Sequence, residues 1–268
     1  MEEVEVNSKE ASSMLKDIKP KLQEDANMNR EKNLKEGTYF KYHPKEAQKI
    51  IAKFKQSPDV LSLMSVIRSN PESLLERFSP VQLRNIVMMC TLLFAFNGPR
   101  GESITKMQVE ELLKAETKVY KPTETEEEAF FMVINIKDHK TAQKGAFPLI
   151  TSREMVATLL AYYKHLLPKL CKTEPKPDHR VFCAQGHPNT PADWKGATRW
   201  ARGILQSEGL TEEEALRFTQ YCKRHADAQE MEESRDPVVQ DHGHKVKELA
   251  VLKVYSICII ALSLSDHA

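Results

Sequence analysis

The chain has no cysteine pairing motif. Its five cysteines, Cys90, Cys171, Cys183, Cys222 and Cys258, are odd in number and widely separated, with no C-x-x-C spacing. That excludes a disulfide-built secreted scaffold and points to a reduced, intracellular compartment. Long apolar runs are also missing. The longest, Ile257 to Leu264, falls well short of the roughly 20 residues a bilayer span requires. The N-terminal MEEVEVNSKEASSM has no apolar core, so it reads neither as a secretory signal nor as an Arg-rich transit peptide. Neither sign of charge is in excess: 39 Lys+Arg stand against 38 Asp+Glu, for a formal net charge of +1. Indiscriminate coating of nucleic acid needs a surplus of cations to neutralise phosphates, and this chain has none overall. Collagen-like and low-complexity bias are absent too, and the expectation is a soluble, membrane-free, intracellular protein.

What is present is a globular composition. The 268 residues are 41% hydrophobic, enough for one large domain or two small ones with a real core. Residues 1–40 are polar and rich in Lys, Glu and Asn and read as a disordered or fraying arm. From residue 41 to 78 the pattern predicts a short helical region of three small helices. KEAQKIIAKFKQ places Ala47, Ile50, Ile51 and Phe54 on one face, and two proline-punctuated helices follow. Ser79-Pro80 then supplies an N-cap and a first-turn proline for an almost continuously apolar helix, predicted to lie buried and to stop at Asn97-Gly98-Pro99.

Beyond it, ITKMQVEELLKAE reads as helical, and Thr123–Glu128 as a solvated acidic stretch. FFMVINIK and AFPLI read as two strands of a β-hairpin over residues 130–150, linked by the turn-forming DHKTAQKG. A strong amphipathic helix capped by Thr151 or Ser152 follows, then a Pro-rich loop, a short VFCA segment and helices over 191–206, 211–231 and 246–262. The expected fold class is mainly α with a small antiparallel β-sheet (α+β).

Several residues could carry chemistry. Arg100 in G-P-R-G-E follows the core helix directly, and a guanidinium presented there suits bidentate binding of a phosphate or carboxylate. Lys140 and Lys144 lie in the hairpin link, where a lysine can swing while the strands stay fixed. Tyr221 and Arg224 are three apart on a predicted helix and share a face. His242 and His244 flank Gly243, but no Cys or carboxylate stands at zinc spacing, so no metal site and no cofactor is expected. Tyr255 follows Leu249, Leu252 and Val254 on an apolar helix, which on its own is more often a core tyrosine than a nucleophile.

Taken in order, an arginine after a buried helix, a lysine on a β-hairpin, an arginine in an H-x-x-R-like box (Tyr221 to Arg224), a Gly-His pair (Gly243-His244) and a terminal tyrosine resemble the catalytic domain of tyrosine recombinases, the phage-integrase-like family. The likeness spans about residues 79–262, and D-H-K-T-A-Q-K-G is most similar to Crypton-type eukaryotic recombinases and their host-domesticated copies. The resemblance implies a catalytic domain over residues 79–268, preceded at 41–78 by what could be a truncated core-binding part. It further implies a nuclear, metal-independent protein that assembles as a homo-oligomer on double-stranded DNA and recombines or integrates it. Tyr255 would form a 3′-phosphotyrosyl link, Arg100, Arg224 and His244 would hold the phosphate, Lys140 would be the general acid, and Tyr221, Lys144 and His242 would assist in binding. Tyr221 stands where the family has a histidine, and His244 precedes Tyr255 by 11 positions, slightly more than the family norm. The alternative is therefore a domesticated, catalytically inactive DNA- or chromatin-binding module of the same fold.

The balanced total charge conceals a local segregation. Residues 164–202 hold eight Lys/Arg against three Asp/Glu, a net of +5, whereas residues 203–236 hold four against nine, a net of −5. A basic face beside an acidic one permits binding of a polyanion in a defined cleft.

Overall fold

The computed structural model describes residues 44–120, 129–139, 143, 145–219, 222 and 223. The chain divides into two units, Met1–Lys41 and Tyr42–Ala268, and every described residue belongs to the second. The arm at residues 1–40, the acidic stretch at 123–128 and the helix expected over 246–262 lie outside the described residues.

The described part is mainly helical with a small antiparallel sheet. Helix α1 (Pro44–Gln56) and helix α2 (Pro58–Ser69) are joined at Ser57-Pro58, and a 3-10 turn, Pro71–Glu76, follows. Ala47, Ile50, Ile51 and Phe54 form the buried face of α1, and Phe54 meets Trp200 edge-on at 5.5 Å. Helix α3 (Pro80–Phe94) starts in a capping box. The Ser79 hydroxyl accepts from the Gln82 N–H at 3.3 Å, and Gln82 Oε1 accepts from the Ser79 N–H at 2.8 Å. Residues Leu83 through Leu93 are all buried, so α3 is enclosed on every side, as its apolar sequence demands. It ends at Phe94, short of the expected stop at Asn97-Gly98-Pro99, because Ala95 leaves the helix in an extended conformation and Phe96 N–H turns to the Ile150 carbonyl.

The segment ITKMQVEELLKAE is not one helix. It contributes to two short ones, α4 (Gly101–Thr105) and α5 (Val109–Leu113), followed directly by a strand. Glu111 is the reason for the second start. Buried to 3% exposure, its carboxylate accepts from the Gln108 N–H at 2.8 Å and from the Lys137 N–H at 2.7 Å. One side chain thereby caps α5 and pins the end of the hairpin to it.

Strands β1 (Glu116–Tyr120), β2 (Ala129–Ile136) and β3 (Phe147–Thr151) form one antiparallel sheet in that order. The hairpin is β2 and β3, with Val133 opposite Ile150 and Ile136 opposite Phe147, and β1 adds an outer strand that the sequence reading missed. The free edge of β3 is covered by the exit of α3. Phe96 N–H donates to the Ile150 carbonyl at 2.9 Å, and the Asn97 carboxamide accepts from the Ile150 N–H at 3.2 Å while donating to the Pro148 carbonyl.

Ser152 caps α6 (Arg153–Ala161), which continues through a π-helical turn, Tyr162–Leu166, into α7 (Leu167–Cys171). A two-stranded sheet of β4 (Cys183–Ala184) and β5 (His187–Pro191) precedes α8 (Lys195–Ser207) and α9 (Glu212–Arg217). The helix expected over 211–231 breaks at Phe218, which is fully buried and extended, with its carbonyl accepting from Arg202 Nε at 3.0 Å. Its side chain and carbonyl are both committed to tertiary contacts, and these outweigh local helix propensity. One core runs from α1 through α3, the sheet, α6, α7 and α8. Among the described residues no helix is long and apolar enough to cross a membrane.

Candidate nucleic-acid interface

Arg100 owes its position to the stitching of the α3 exit onto β3. Gly98 takes a left-handed turn at φ 52°, and Arg100 becomes the N-cap of α4, its carbonyl accepting from the Ser103 N–H at 3.0 Å. The backbone is thus fixed at both ends of the G-P-R-G segment. The guanidinium is half-buried and makes no hydrogen bond or ion pair to the described residues. Nearby acids are otherwise engaged: Glu102 pairs with Lys106 at 3.0 Å.

The next residue, Gly101, lies flat against the indole of Trp194. A Cβ placed on Gly101 would come within 2.7 Å of Trp194 Nε1. Trp194, the N-cap of α8, in turn lines a groove of about 770 Å³ together with Lys195, Thr198, Arg199, Arg202, Glu212 and Thr219. Helical spacing explains the lining. Ala197, Ala201 and Leu205, four apart, are fully buried on one side of α8, which leaves Lys195, Arg199 and Arg202 on another. Small residues on the inner side bring α8 close to α3, where Gly196 sits against the Asn85 carboxamide with no room for a Cβ. Arg202 is partly spent on the Phe218 carbonyl. The side chains of Lys195 and Arg199 are exposed and make no bonds to the described residues.

Through Lys106 the same ionic cluster extends to the hairpin tip. Arg180 donates to Asp138 Oδ2 at 2.7 Å and to the Lys106 carbonyl, and Lys106 Nζ lies 3.4 Å from Asp138 Oδ1. Partial burial works against ionisation of Asp138, but the Arg180 hydrogen bond and the charges of Lys106 and Arg180 prevail, holding its carboxyl below the usual range. His139 Nε2 donates to the Gly145 carbonyl at 2.8 Å, closing the visible ends of the link. The strands are therefore anchored up to residue 139 on one side and from 145 on the other.

Of the residues singled out from sequence, Arg100 alone is described. Lys140, Lys144, Tyr221, Arg224, His242, His244 and Tyr255 lie outside the described residues. Thr219, in the groove lining, is two residues before Tyr221. Sequence reasoning counted Lys195, Arg199 and Arg202 in the basic segment but did not align them. Their i, i+4, i+7 spacing was the available signal, and Trp194 and Gly101 gave none before the contact between them was seen. Among the described residues no group of three or more His, Cys, Asp or Glu is placed to hold a metal ion. Compared with known proteins, the chain matches no family model, no curated protein and no solved structure.

Proposed function

We propose that this chain is a DNA-binding protein of tyrosine-recombinase type, acting in the nucleus as a homo-oligomer on double-stranded DNA. The observation that carries the reading is Arg100, its backbone anchored at the exit of the buried helix and its guanidinium without a partner among the described residues, next to a groove lined by Trp194 whose Lys195 and Arg199 side chains make no bonds to the described residues. An arginine with no partner among the described residues, one position before the glycine that packs on Trp194, is suited to a phosphodiester, whose oxygens accept from it in a fork.

In the proposed reaction the Tyr255 phenol gives its proton to solvent as its oxygen attacks phosphorus, and the bond to the 5′-oxygen breaks. Lys140 gives the proton that the departing 5′-oxygen requires, with Lys144 in reserve. Arg100, Arg224 and His244 bind the non-bridging oxygens as charge grows on them, which lowers the barrier without a metal. The 3′-phosphotyrosyl link conserves the bond for rejoining. Tyr221 and His242 assist in substrate binding.

Tyr221, in the place of a histidine, favours a second reading, a binding-only descendant of the same fold. A phenol can donate a hydrogen bond but carries no positive charge at neutral pH. A nicked suicide duplex of randomised sequence separates the two. The recombinase reading expects a detergent-resistant protein–DNA adduct that disappears in Tyr255→Phe and falls by about 100-fold or more in Arg100→Ala. Salt-sensitive binding with no adduct selects the binding-only reading, and neither adduct nor binding removes both.

A further inference from the structure

Away from the groove, two thiols meet inside the molecule. Cys171 ends α7 and Cys183 begins β4, and their Sγ atoms lie 3.4 Å apart. Cys183 is fully enclosed and Cys171 only 2% exposed. The backbones on either side are fixed to each other and to the core. Gly186 N–H donates to the Leu170 carbonyl at 3.1 Å, and Arg84 Nη1 donates to the Cys183 carbonyl at 2.9 Å. A disulfide needs the two sulfurs about 2 Å apart, so a closing movement of little more than an ångström at the side chains would join them.

The pair brackets the segment from 172 to 182. Lys172 reverses the chain at φ 59°, and residues 172–174 and 176–178 are exposed. Further along the same segment, Arg180 grips Asp138 and the Lys106 carbonyl, and the His179 carbonyl accepts from Val109 N–H at 2.9 Å. A bond between its two ends would therefore restrain the piece of chain that anchors the hairpin tip.

We propose that Cys171 and Cys183 form a modification site, a reversible intramolecular disulfide made by exchange with a small-molecule disulfide such as oxidised glutathione, which staples the 172–182 segment. Cys171 is the attacking sulfur. The hydrogen bond from Cys183 lowers its pKa, while the same bond and then burial raise that of Cys183. In the first step the Cys171 thiolate bonds to one sulfur of oxidised glutathione and releases a glutathione thiolate. Cys183 then loses its proton, bonds to Cys171 Sγ and releases the second glutathione. Two protein thiols are oxidised and one glutathione disulfide is reduced to two thiols. Under reducing conditions the pair rests as the dithiol, and the exposed segment between its ends opens to admit the oxidant.

The test uses the full-length chain incubated with oxidised glutathione under native conditions, then alkylated, digested and mapped without reduction. The expected product is a single linked species joining Cys171 to Cys183. Amide hydrogen exchange over 172–182 should slow and return to its starting rate with dithiothreitol. Absence of the linked species, a scrambled set that includes Cys90, Cys222 or Cys258, or a link that leaves exchange over 172–182 unchanged each overturns the proposal. Cys183→Ser could fail to fold, so phenylarsine oxide on the wild-type chain provides an independent check. It bridges neighbouring thiols and, added to the native chain, should shield Cys171 and Cys183 together from alkylation carried out after unfolding in urea. Alkylation of either despite the reagent contradicts the proposed pair.

Discussion

Gly101 and Gly196 carry no side chain for the same physical reason. At Gly101 the space a Cβ would occupy is filled by the Trp194 indole, and at Gly196 by the Asn85 carboxamide. Neither residue needs glycine for its backbone angles; both need it for close approach. Gly101→Ala should therefore push Trp194 out of place and cost about 1–3 kcal/mol in urea unfolding, as overpacking does elsewhere. Under the proposed function the same change also weakens DNA binding, by moving Trp194 in the groove lining. Glu111 is a second case of one residue serving two elements. Its carboxylate accepts from Gln108 N–H and Lys137 N–H in a site only 3% exposed. Glu111→Ala leaves both donors buried and unpaired, so a loss of about 2–4 kcal/mol is expected in the same assay, from two hydrogen bonds to a charged acceptor less their hydration. Neither role could be read from sequence. Glu111 stands in an ordinary E-E-L-L helical phrase, and its second donor comes from 26 positions away.

The elements follow the sequence where a local rule decides them and depart where a distant contact does. Helix α3 begins at the S-P-x-Q signal because both halves of its capping box form within three residues. Ser79→Ala should cost about 1 kcal/mol, measured by thermal or urea unfolding, with Ser79→Asp recovering most of it. The hairpin was likewise legible from alternation in β2, since Ile134 and Ile136 point into the main core. Strand β1 was missed because ETKVY is short, polar and at the sheet edge, with Val119 and its partner Phe130 both more than half exposed. The run expected as one helix over 211–231 stops where Phe218 becomes a buried anchor, a decision made by Arg202 on another helix.

The hairpin tip also has a pH dependence whose sign can be stated. The carboxyl of Asp138 is held below its usual range by Arg180 and Lys106 against the opposing effect of partial burial. Its contribution is complete above the ordinary carboxylate value of about 4 and is lost as pH falls through the lower folded value. Amide exchange at Lys137–His139 should quicken as pH drops through that window, after correction for intrinsic rates, and Asp138→Asn should remove the step. Asp138 is substantially exposed, so the effect belongs to the tip and not to global stability.

Across the whole molecule, a net charge of +1 coexists with a groove lined, among the described residues, by three cations and one carboxylate. The segregation was visible in local counts along the chain. Its orientation was not, because it depends on α8 turning Ala197, Ala201 and Leu205 inward. Arg100 reaches the same neighbourhood through Gly101 and Trp194, a contact between positions 93 residues apart in the chain that no local pattern announces.

The proposed function requires a phosphate backbone to be bound at Arg100 and along α8. Its most direct test is the salt dependence of duplex DNA affinity, measured for the wild-type chain and for Arg100→Ala, Lys195→Ala and Arg199→Ala. Each contact that neutralises a phosphate contributes about 0.9 to the slope of log affinity against log salt concentration. The expected result is salt-sensitive binding whose slope falls by about that amount per substitution, while Lys118→Ala on β1, outside the groove lining, leaves it unchanged. Binding that is absent, or whose slope is the same in all of these variants, would contradict the account.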